Sequence, residues 1–440
     1  MSGFTDAKDR YLAHFEHFSA NGGAAAPDWV KQTRGQAIER FADLGFPTTR
    51  AEEWRFTNVK PIADEPYELT GVPRSIEANI ADLSVVSTPV QRVVIADGHF
   101  SGERSSICQL PDGVTVGSLS SALDSGNELV RRHLAQYARF SENAFTALCT
   151  AFLHDGAFIH VPKNTVVETP IEVLFVSSDA DPTVTHPRCL VLVDSGAQVD
   201  VVENYISPGS GKYFTNAVTE LVVGENARVR CYRVQQESPS AHHVATTHVH
   251  QHKDSRFSLT LVAFGAALSR HDVRLVLDGE GAESSLDGLY VMSGKQHVDH
   301  HTVIEHARPH CNSVERLNGI MDDFSRAVFV GRIIVREGAQ KTDAKQSNNN
   351  LLLSGTARAD SQPQLEIYAD DVRCTHGATL GPLDEGSMFY LRSRGIDEVG
   401  ARRLLTYGFG AEILGRIPVG DISERLHTLF KNRLENMIGA

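Results

Sequence analysis

Residues 221–227 read Leu221-Val222-Val223-Gly224-Glu225-Asn226-Ala227, and this arrangement recurs through most of the 440-residue chain. A short apolar run meets polar residues and is followed by a corner pair, here Asn226-Ala227. Gly usually stands where Asn226 does, and Asn is among the few other residues that enter the left-handed backbone region at low cost. The pattern therefore predicts a tight corner with positive φ, then a small residue where successive coils stack. The other corner pairs are Gly156-Ala157, Gly196-Ala197, Gly265-Ala266, Gly281-Ala282, Gly338-Ala339 and Gly377-Ala378.

The runs between these corners are typical of β-strands. They are short and rich in Val, Ile, Leu and Phe, as in Val93-Val94-Ile95 and Arg332-Ile333-Ile334-Val335. The corner pairs are unevenly spaced, whereas the blades of a propeller would repeat evenly. We therefore expect a mainly β fold, a parallel β-solenoid with coils of variable length, and a double β-sandwich is the alternative. Asn348-Asn349-Asn350 suits an asparagine stack at a corner, or else an asparagine-rich loop.

Both ends of the chain have helical patterns instead. Near the start, Tyr11, Phe15 and Phe18 fall on one helical face, and near the end Leu426, Phe430 and Leu434 do the same. The chain thus divides into an N-terminal helical region (1–85), a β-solenoid core (86–385) and a C-terminal helical region (386–440). The terminal helices could cap the open ends of the solenoid or dock another subunit.

Composition excludes several classes of protein. Acidic residues outnumber basic ones 55 to 42, and the pI is about 5.8, so a nucleic-acid partner is not expected. The longest apolar runs are far short of the roughly 20 residues of a membrane-spanning helix. The first residues contain no apolar signal segment, so we expect a cytoplasmic protein without disulfides. The six cysteines contain no CxxC pair, and we expect four or five of them to be buried.

Common catalytic motifs are missing. The segment Gly209-Ser210-Gly211-Lys212 resembles a P-loop fragment, but Ile206 and Tyr213 stand where Gly and Ser or Thr belong. The chain has no GxSxG, HExxH or GxGxxG motif in a suitable context. A β-helix hydrolase or lyase remains the alternative from another functional class. Its only candidate acid pair is Asp370-Asp371, whose side chains would point to opposite faces of a strand.

Two histidine clusters suggest metal ligands only weakly. His248, His250 and His252 alternate and would share one face of a strand, but same-face neighbours are about 7 Å apart, too far to chelate one ion readily. The second cluster extends from His297 to His310 and Cys311. Ordinary hydrogen-bonded histidines are the simpler interpretation of both.

Cys374 and His376 form a more specific pair. In an extended segment they are at i and i+2, so a thiolate and an imidazole would share one face beside Arg373. These are soft-metal ligands, but they make only half a site. The remaining ligands would come from elsewhere in the chain or from another chain. A buried cysteine beside a hydrogen-bonded histidine is the alternative.

The segment around this pair resembles a known family. Asp370-Asp371-Val372-Arg373-Cys374-Thr375-His376-Gly377-Ala378-Thr379 is similar to the SufB/SufD family of iron–sulfur cluster assembly proteins. Related stretches lie at 338–344, 351–354, 389–396, 306–309 and 47–57, so the likeness covers nearly the whole chain. The Cys-Thr-His-Gly-Ala-Thr form, the helical N-terminus and the lack of a CxxC cluster are more similar to the SufD branch than to SufB.

The resemblance implies a right-handed parallel β-helix between helical ends, in a non-catalytic scaffold subunit that assembles with SufB and the ATPase SufC. A P-loop is then not needed in this chain. Cys374 and His376 would lie at the SufB interface, where a transient iron–sulfur cluster forms, and no cofactor would bind the isolated subunit stably. The edge strand at 365–369, with Leu365 and Ile367, would pair with SufB. Phe389, Tyr390 and Ile396 in the C-terminal helices would contact SufC, and the chain could form a homodimer without SufB.

Overall fold

The computed structural model describes residues 2–21, 23, 25–71, 82, 84–86, 91–178 and 182–438. Its centre is a parallel β-solenoid built from two sheets, which we call sheet A and sheet B. From β8 onward successive strands alternate between the sheets, so that each strand pairs in parallel with the strand two positions along the chain. This confirms the solenoid and excludes the double sandwich.

The bounds of the strands follow the two sheets. Sheet A contains β1 (Glu68–Leu69), β4 (Thr115–Ser118), β5 (Gly156–Val161), β7 (Thr183–Thr185), β8 (Arg188–Val193), β10 (Tyr213–Val223), β12 (His242–Gln251), β14 (Leu268–Leu277), β16 (His297–His306), β18 (Arg326–Val335) and β20 (Arg358–Ile367). Sheet B contains β2 (Gln91–Ala96), β3 (His99–Phe100), β6 (Ile171–Val176), β9 (Gln198–Ile206), β11 (Arg228–Gln236), β13 (Arg256–Ala263), β15 (Glu283–Met292), β17 (Asn312–Met321), β19 (Asp343–Leu352) and β21 (Arg373–Gly381).

One row of corners carries the predicted backbone conformation. At each of these corners a residue with positive φ donates its N–H to a carbonyl of the next coil. The residue that follows is small and points into the stack, as Ala197, Ala227 and Ala282 do, each at most 1% exposed. The corner residues are Asn164, Gly196, Asn226, Asp254, Gly281, His310 and Lys341.

Some predicted corners are wrong. Gly338 lies in a turn without positive φ, Gly377 lies within β21, and at Gly265 the following Ala266 takes the positive φ of 65°. Gly265 lies at the opposite end of the strands from the corner row, and Gly338 lies in the same turn as the true corner residue Lys341. The asparagine stack at a corner is also wrong, since residues 348–350 lie within β19.

Helices cover the outer faces of both sheets. The first six are α1 (Ser2–Ala20), α2 (Asp28–Leu44), α3 (Lys60–Asp64), α4 (Leu119–Asp124), α5 (Glu128–His133) and α6 (Ala144–Ala151), and the last three are α7 (Glu385–Ser393), α8 (Glu398–Leu414) and α9 (Gly420–Met437). Tyr11, Phe41 and Phe145 pack with Phe214 of sheet A, whereas Leu426 and Phe430 pack with Tyr232 of sheet B. Helices α4 to α6 fall where only strands were expected.

The helices do not cap the end of the solenoid. The side chains of β19 are largely buried, whereas those of β20 and β21 are half-buried or exposed along their length. Within the described ranges, each helix is too short or too polar to cross a lipid bilayer. Four cysteines are buried, Cys374 is half-buried and Cys108 is exposed, as the composition predicted.

The corner row predicts a position-specific cost of adding a side chain. Gly281 has φ 73°, and a Cβ there would lie 2.3 Å from Asp254 Oδ1. Gly281→Ala should therefore lower the free energy of unfolding by about 1–3 kcal/mol, measured by thermal and urea unfolding. Gly338→Ala is the matched control, because its φ is ordinary and the space around it is open. Equal stability of the two variants would contradict a corner role for Gly281.

Candidate functional site

The last coil of the solenoid ends in two edge strands. Among the described residues, β20 pairs only with β18, and β21 pairs only with β19. Alternate residues of a parallel strand bond to opposite neighbours. Tyr368 N–H donates to Val335, and Arg373 N–H donates to Thr342. The odd-numbered N–H groups of β20 and the even-numbered ones of β21 therefore face the uncovered edge, ready to pair with another chain.

Cys374 and His376 lie on the interior face of β21. In the register of the sheet, Cys374 follows buried Ala344 and His376 follows buried Gln346. Cys374 is half-buried and packs against the interior core, whereas His376 is exposed. The pair is thus brought together as predicted, but it points into the open mouth of the solenoid rather than out from its side.

The surroundings of Cys374 favour the protonated thiol in this chain alone. Burial raises its pKa, and the carboxylate of Asp343 adds to that rise, while the backbone N–H of Ala344 opposes it. A thiolate here would need a metal or another positive charge from outside the chain. In the part of the chain that the structure describes, no three His, Cys, Asp or Glu side chains are placed to hold a metal ion. The pair therefore remains half a site.

The strand predicted at 365–369 is an edge strand, but it is not the last strand of the solenoid. Leu365 and Ile367 do lie on an edge strand, β20, which ends at Ile367, but β21 follows it and forms the edge of the other sheet. Leu365 packs against the interior core, and Ile367, which is 40% exposed, lies beyond Val335. Two apolar side chains thus lie at the open end. An edge was placed correctly because β20 is apolar on alternate residues, whereas the polar β21 gave no such signal.

The aromatic residues predicted to bind a partner lie on the adjoining helix. Helix α7 has no buried residue; Phe389 is 75% exposed, Tyr390 is 56% exposed, and Ile396 just beyond it is half-buried. Arg394 covers one face of the Tyr390 ring. Exposed large apolar side chains next to an uncovered sheet edge are typical of a binding surface.

The other candidate residues have structural surroundings. Asp371 lies in the turn before β21 and pairs with Lys341, so Asp370-Asp371 is no acid pair in a groove. His297 and His301 bond to Thr57 and Asp299 on the outer face of sheet A, whereas His300 and His306 point inward, so the second histidine cluster is divided between two faces.

The first histidine cluster lies in an outer groove. His248 and His250 line a cavity of about 680 Å³ over sheet A, together with Tyr137. The lining of this groove carries nearly matched charges, six carboxylates and five arginines, and Arg274 and Arg336 both bind Glu305. The groove therefore has little net charge with which to attract a ligand.

Sequence reasoning missed the polar interior behind the open end. Glu315 is fully buried and accepts a hydrogen bond from Gln346 at 2.7 Å. Tyr290 hydroxyl donates to Asn350 at 2.7 Å and accepts from Asn348 at 2.9 Å. Both faces of the strand around Glu315 mix polar and apolar residues. The sequence therefore did not show which face of this strand would lie inside the solenoid.

Comparisons with known proteins agree with this geometry. The family description "SufBD protein N-terminal region" matches residues 5–173, and "SUF system FeS cluster assembly, SufBD core domain" matches residues 175–409. An iron–sulfur cluster assembly SufBD family protein of Synechocystis is 35% identical over 89% of this chain and 88% of its own length. The iron–sulfur cluster assembly proteins SufD of Escherichia coli and Bacillus subtilis are each 28% identical. They cover 94% and 93% of this chain and 94% and 95% of their own lengths.

Proposed function

Because the chain belongs to the SufBD family of iron–sulfur cluster assembly proteins, we propose that it is the SufD-type scaffold subunit of a complex with SufB and the ATPase SufC. Its role would lie in cluster assembly, as a subunit without catalytic turnover of its own. It would work in the cytoplasm, where free thiols persist. The observation that carries the proposal is the uncovered last coil, with two edge strands around inward-facing Cys374 and His376.

We propose that SufB adds strands to this open end. A partner strand could use the free N–H groups of β20 and β21, and so continue one or both sheets. The mouth of the solenoid would then become an enclosed seam between two subunits. Leu365 and Ile367 would be buried there, which gives an apolar contribution to binding. A second copy of this chain could occupy the same edge when SufB is absent.

At that seam, Cys374 and His376 would contact the cluster as cargo. Iron–sulfur clusters are held mainly by thiolates, with histidine as an occasional ligand. Two ligands from this chain and the rest from SufB would hold a cluster only while the subunits are joined. The isolated subunit would bind none stably. A shared site of this kind suits transfer, because separating the subunits removes half of the ligands.

Removing either ligand should impair assembly without affecting the fold. Cys374→Ser and His376→Ala, in complexes purified after co-expression with SufB and SufC, should lower the yield of cluster several-fold, measured by absorption and iron content. Thr375→Ala is the matched control, because Thr375 lies between them and faces the outer side. If both single variants and the double variant form clusters at the wild-type rate and yield, the site lies elsewhere.

Proline at the edge tests strand addition by SufB. Ile367 has an odd number in β20, so its N–H faces the uncovered edge, as would that of residue 363, which is already proline. Ile367→Pro should therefore preserve the subunit but weaken SufB binding about tenfold or more, through one lost hydrogen bond and a clash. Ile367→Ala keeps the N–H and separates this effect from lost apolar contact. Unchanged affinity of the proline variant would exclude this edge.

We propose that α7 docks SufC, and the aromatic residues provide the test. Phe389→Ala and Tyr390→Ala should each weaken SufC binding by about 2 kcal/mol, as expected of aromatic anchors, measured by calorimetry. Deleting everything after residue 385 is unsuitable, because Leu426 and Phe430 are buried against sheet B. Val166→Ala, at an exposed corner of an early coil, is the control. Wild-type affinity of both aromatic variants would indicate that SufC binds elsewhere.

A further inference from the structure

The interior of the last coils contains polar groups where a solenoid usually stacks apolar ones. Several buried side-chain atoms there make no hydrogen bond within the described structure. Buried polar groups are almost always bonded, so a cluster of exceptions behind an open end points to chemistry or to bound solvent. The atoms are His300 Nδ1, Thr302 Oγ1, Glu315 Oε1, Gln346 Oε1 and Ser361 Oγ.

Glu315 differs from the other fully buried glutamates of the solenoid. Glu172, Glu203 and Glu220 are each at most 2% exposed, and each forms an ion pair with an arginine at 2.5–2.8 Å. Glu315 is 0% exposed and forms no such pair among the described residues. An unpaired buried carboxylate costs several kcal/mol, and the chain avoids that cost elsewhere. Its presence behind the candidate site therefore calls for a functional reason.

The surroundings of Glu315 determine the pKa of its carboxyl group. Burial raises its pKa to about 7, while the Thr302 hydroxyl and the Gln346 amide oppose that rise. The Thr302 hydroxyl lies near the carboxyl, although its geometry falls short of a hydrogen bond. The carboxyl group can therefore take up and release a proton near neutral pH.

In the part of the chain that the structure describes, no charged group contributes to the pKa of Glu315. On its own strand, the inward neighbours are Ser313 and Leu317, and the adjacent strands bring Leu286 and Gln346. The facing strand β16 brings Thr302, and on the same inward face of that strand burial lowers the pKa of His300 to about 4, so that His300 is neutral. Burial, rather than a charged partner, thus governs Glu315.

A single register column connects Glu315 to the open mouth. Glu315 pairs with Gln346, and Gln346 pairs with His376. Two strand spacings place Glu315 about 10 Å behind His376. The amide N–H of Gln346 donates to Glu315 Oε2. The amide oxygen of Gln346, Oε1, makes no hydrogen bond among the described residues. A polar side chain thus occupies each position of this register column from Glu315 to the seam.

We propose that Glu315 is the internal proton acceptor for assembly at this seam. Thiol ligands must lose a proton to bind a metal, and a seam closed by a second solenoid is cut off from bulk water. The Cys374 S–H bond breaks, sulfur keeps the electron pair and shares it with iron, and the proton passes through the polar interior to Glu315 Oε1. The neutral acid returns the proton to solvent when the seam opens. This inference rests on the proposed function of Cys374 and His376.

The first test uses the full-length chain alone. Infrared spectra recorded between pH 5 and pH 9 should show the C=O band of a protonated buried carboxylic acid, which titrates near pH 7. Glu315→Gln should abolish this band. Glu283→Gln should preserve it, because Glu283 lies half-exposed beside Arg256. Absence of such a band in the wild type, or its persistence in Glu315→Gln, would overturn the proposal whatever the complex does.

The second test uses the complex with SufB and SufC. The initial rate of cluster formation in the wild type should rise between pH 6 and pH 8. Glu315→Gln should slow it at least about tenfold at pH 7 and remove that pH dependence, and Glu315→Asp should restore part of both. Wild-type rates and profile for Glu315→Gln would overturn the proposal.

A further variant covers the case in which Glu315→Gln does not fold. Gln346→Leu interrupts the column and should slow assembly similarly while the infrared band remains. A wild-type rate for Gln346→Leu would overturn the column as the proton path. If complexes with Cys374→Ser and His376→Ala instead assemble clusters normally, these two residues are not cluster ligands and the proposed function of this end is wrong. The infrared band of Glu315 does not change that conclusion.

Discussion

The rest of this structure depends on the parallel ladder of backbone hydrogen bonds between coils. Each coil satisfies its backbone groups on the coil before it and the coil after it. At the start of the solenoid, antiparallel strands β3 and β4 border the sheets. At its end, β20 and β21 border nothing in the described structure. A ladder that is not closed leaves one row of donors and acceptors unpaired, and the candidate site lies at that row.

The interior changes along the ladder. The early coils are filled by Val191, Val201 and Leu221, stacked apolar side chains that stabilise by burial alone. The same early coils also contain the buried ion pair of Arg233 and Glu203, and farther along His271 bonds to Thr247. In the last coils Glu315 and its unpartnered neighbours appear. Polar groups thus lie inside both early and late coils, but those near the open end include a carboxyl group without an arginine partner among the described residues.

The segments that cover the outer face of sheet A are held there by buried charges as well as by apolar packing. Glu220 accepts hydrogen bonds from three backbone N–H groups at residues 135, 137 and 138, and pairs with Arg188. Arg270 lies 3.8 Å from the centre of the Trp54 ring and pairs with Asp299. These contacts fix the helices on the outer faces. Because the helices pack on the outer faces of the sheets, they do not cover the end of the ladder, where another subunit could bind.

Local patterns in the sequence predicted a mainly β fold with a solenoid favoured, the helical ends and the Cys374–His376 pair, because strand periodicity and i, i+2 spacing are local properties. The sequence also determined the corners at Gly196, Asn226 and Gly281, where positive φ restricts the residue type. The three-dimensional arrangement was needed to show that residues 348–350 lie within a strand, that β21 is the last strand, and that the Cys374–His376 pair faces inward. It also showed Glu315 inside the solenoid without a cation among the described residues. Those facts depend on register between coils some 30 residues apart, and a strand has two faces that its own sequence does not distinguish when both are mixed.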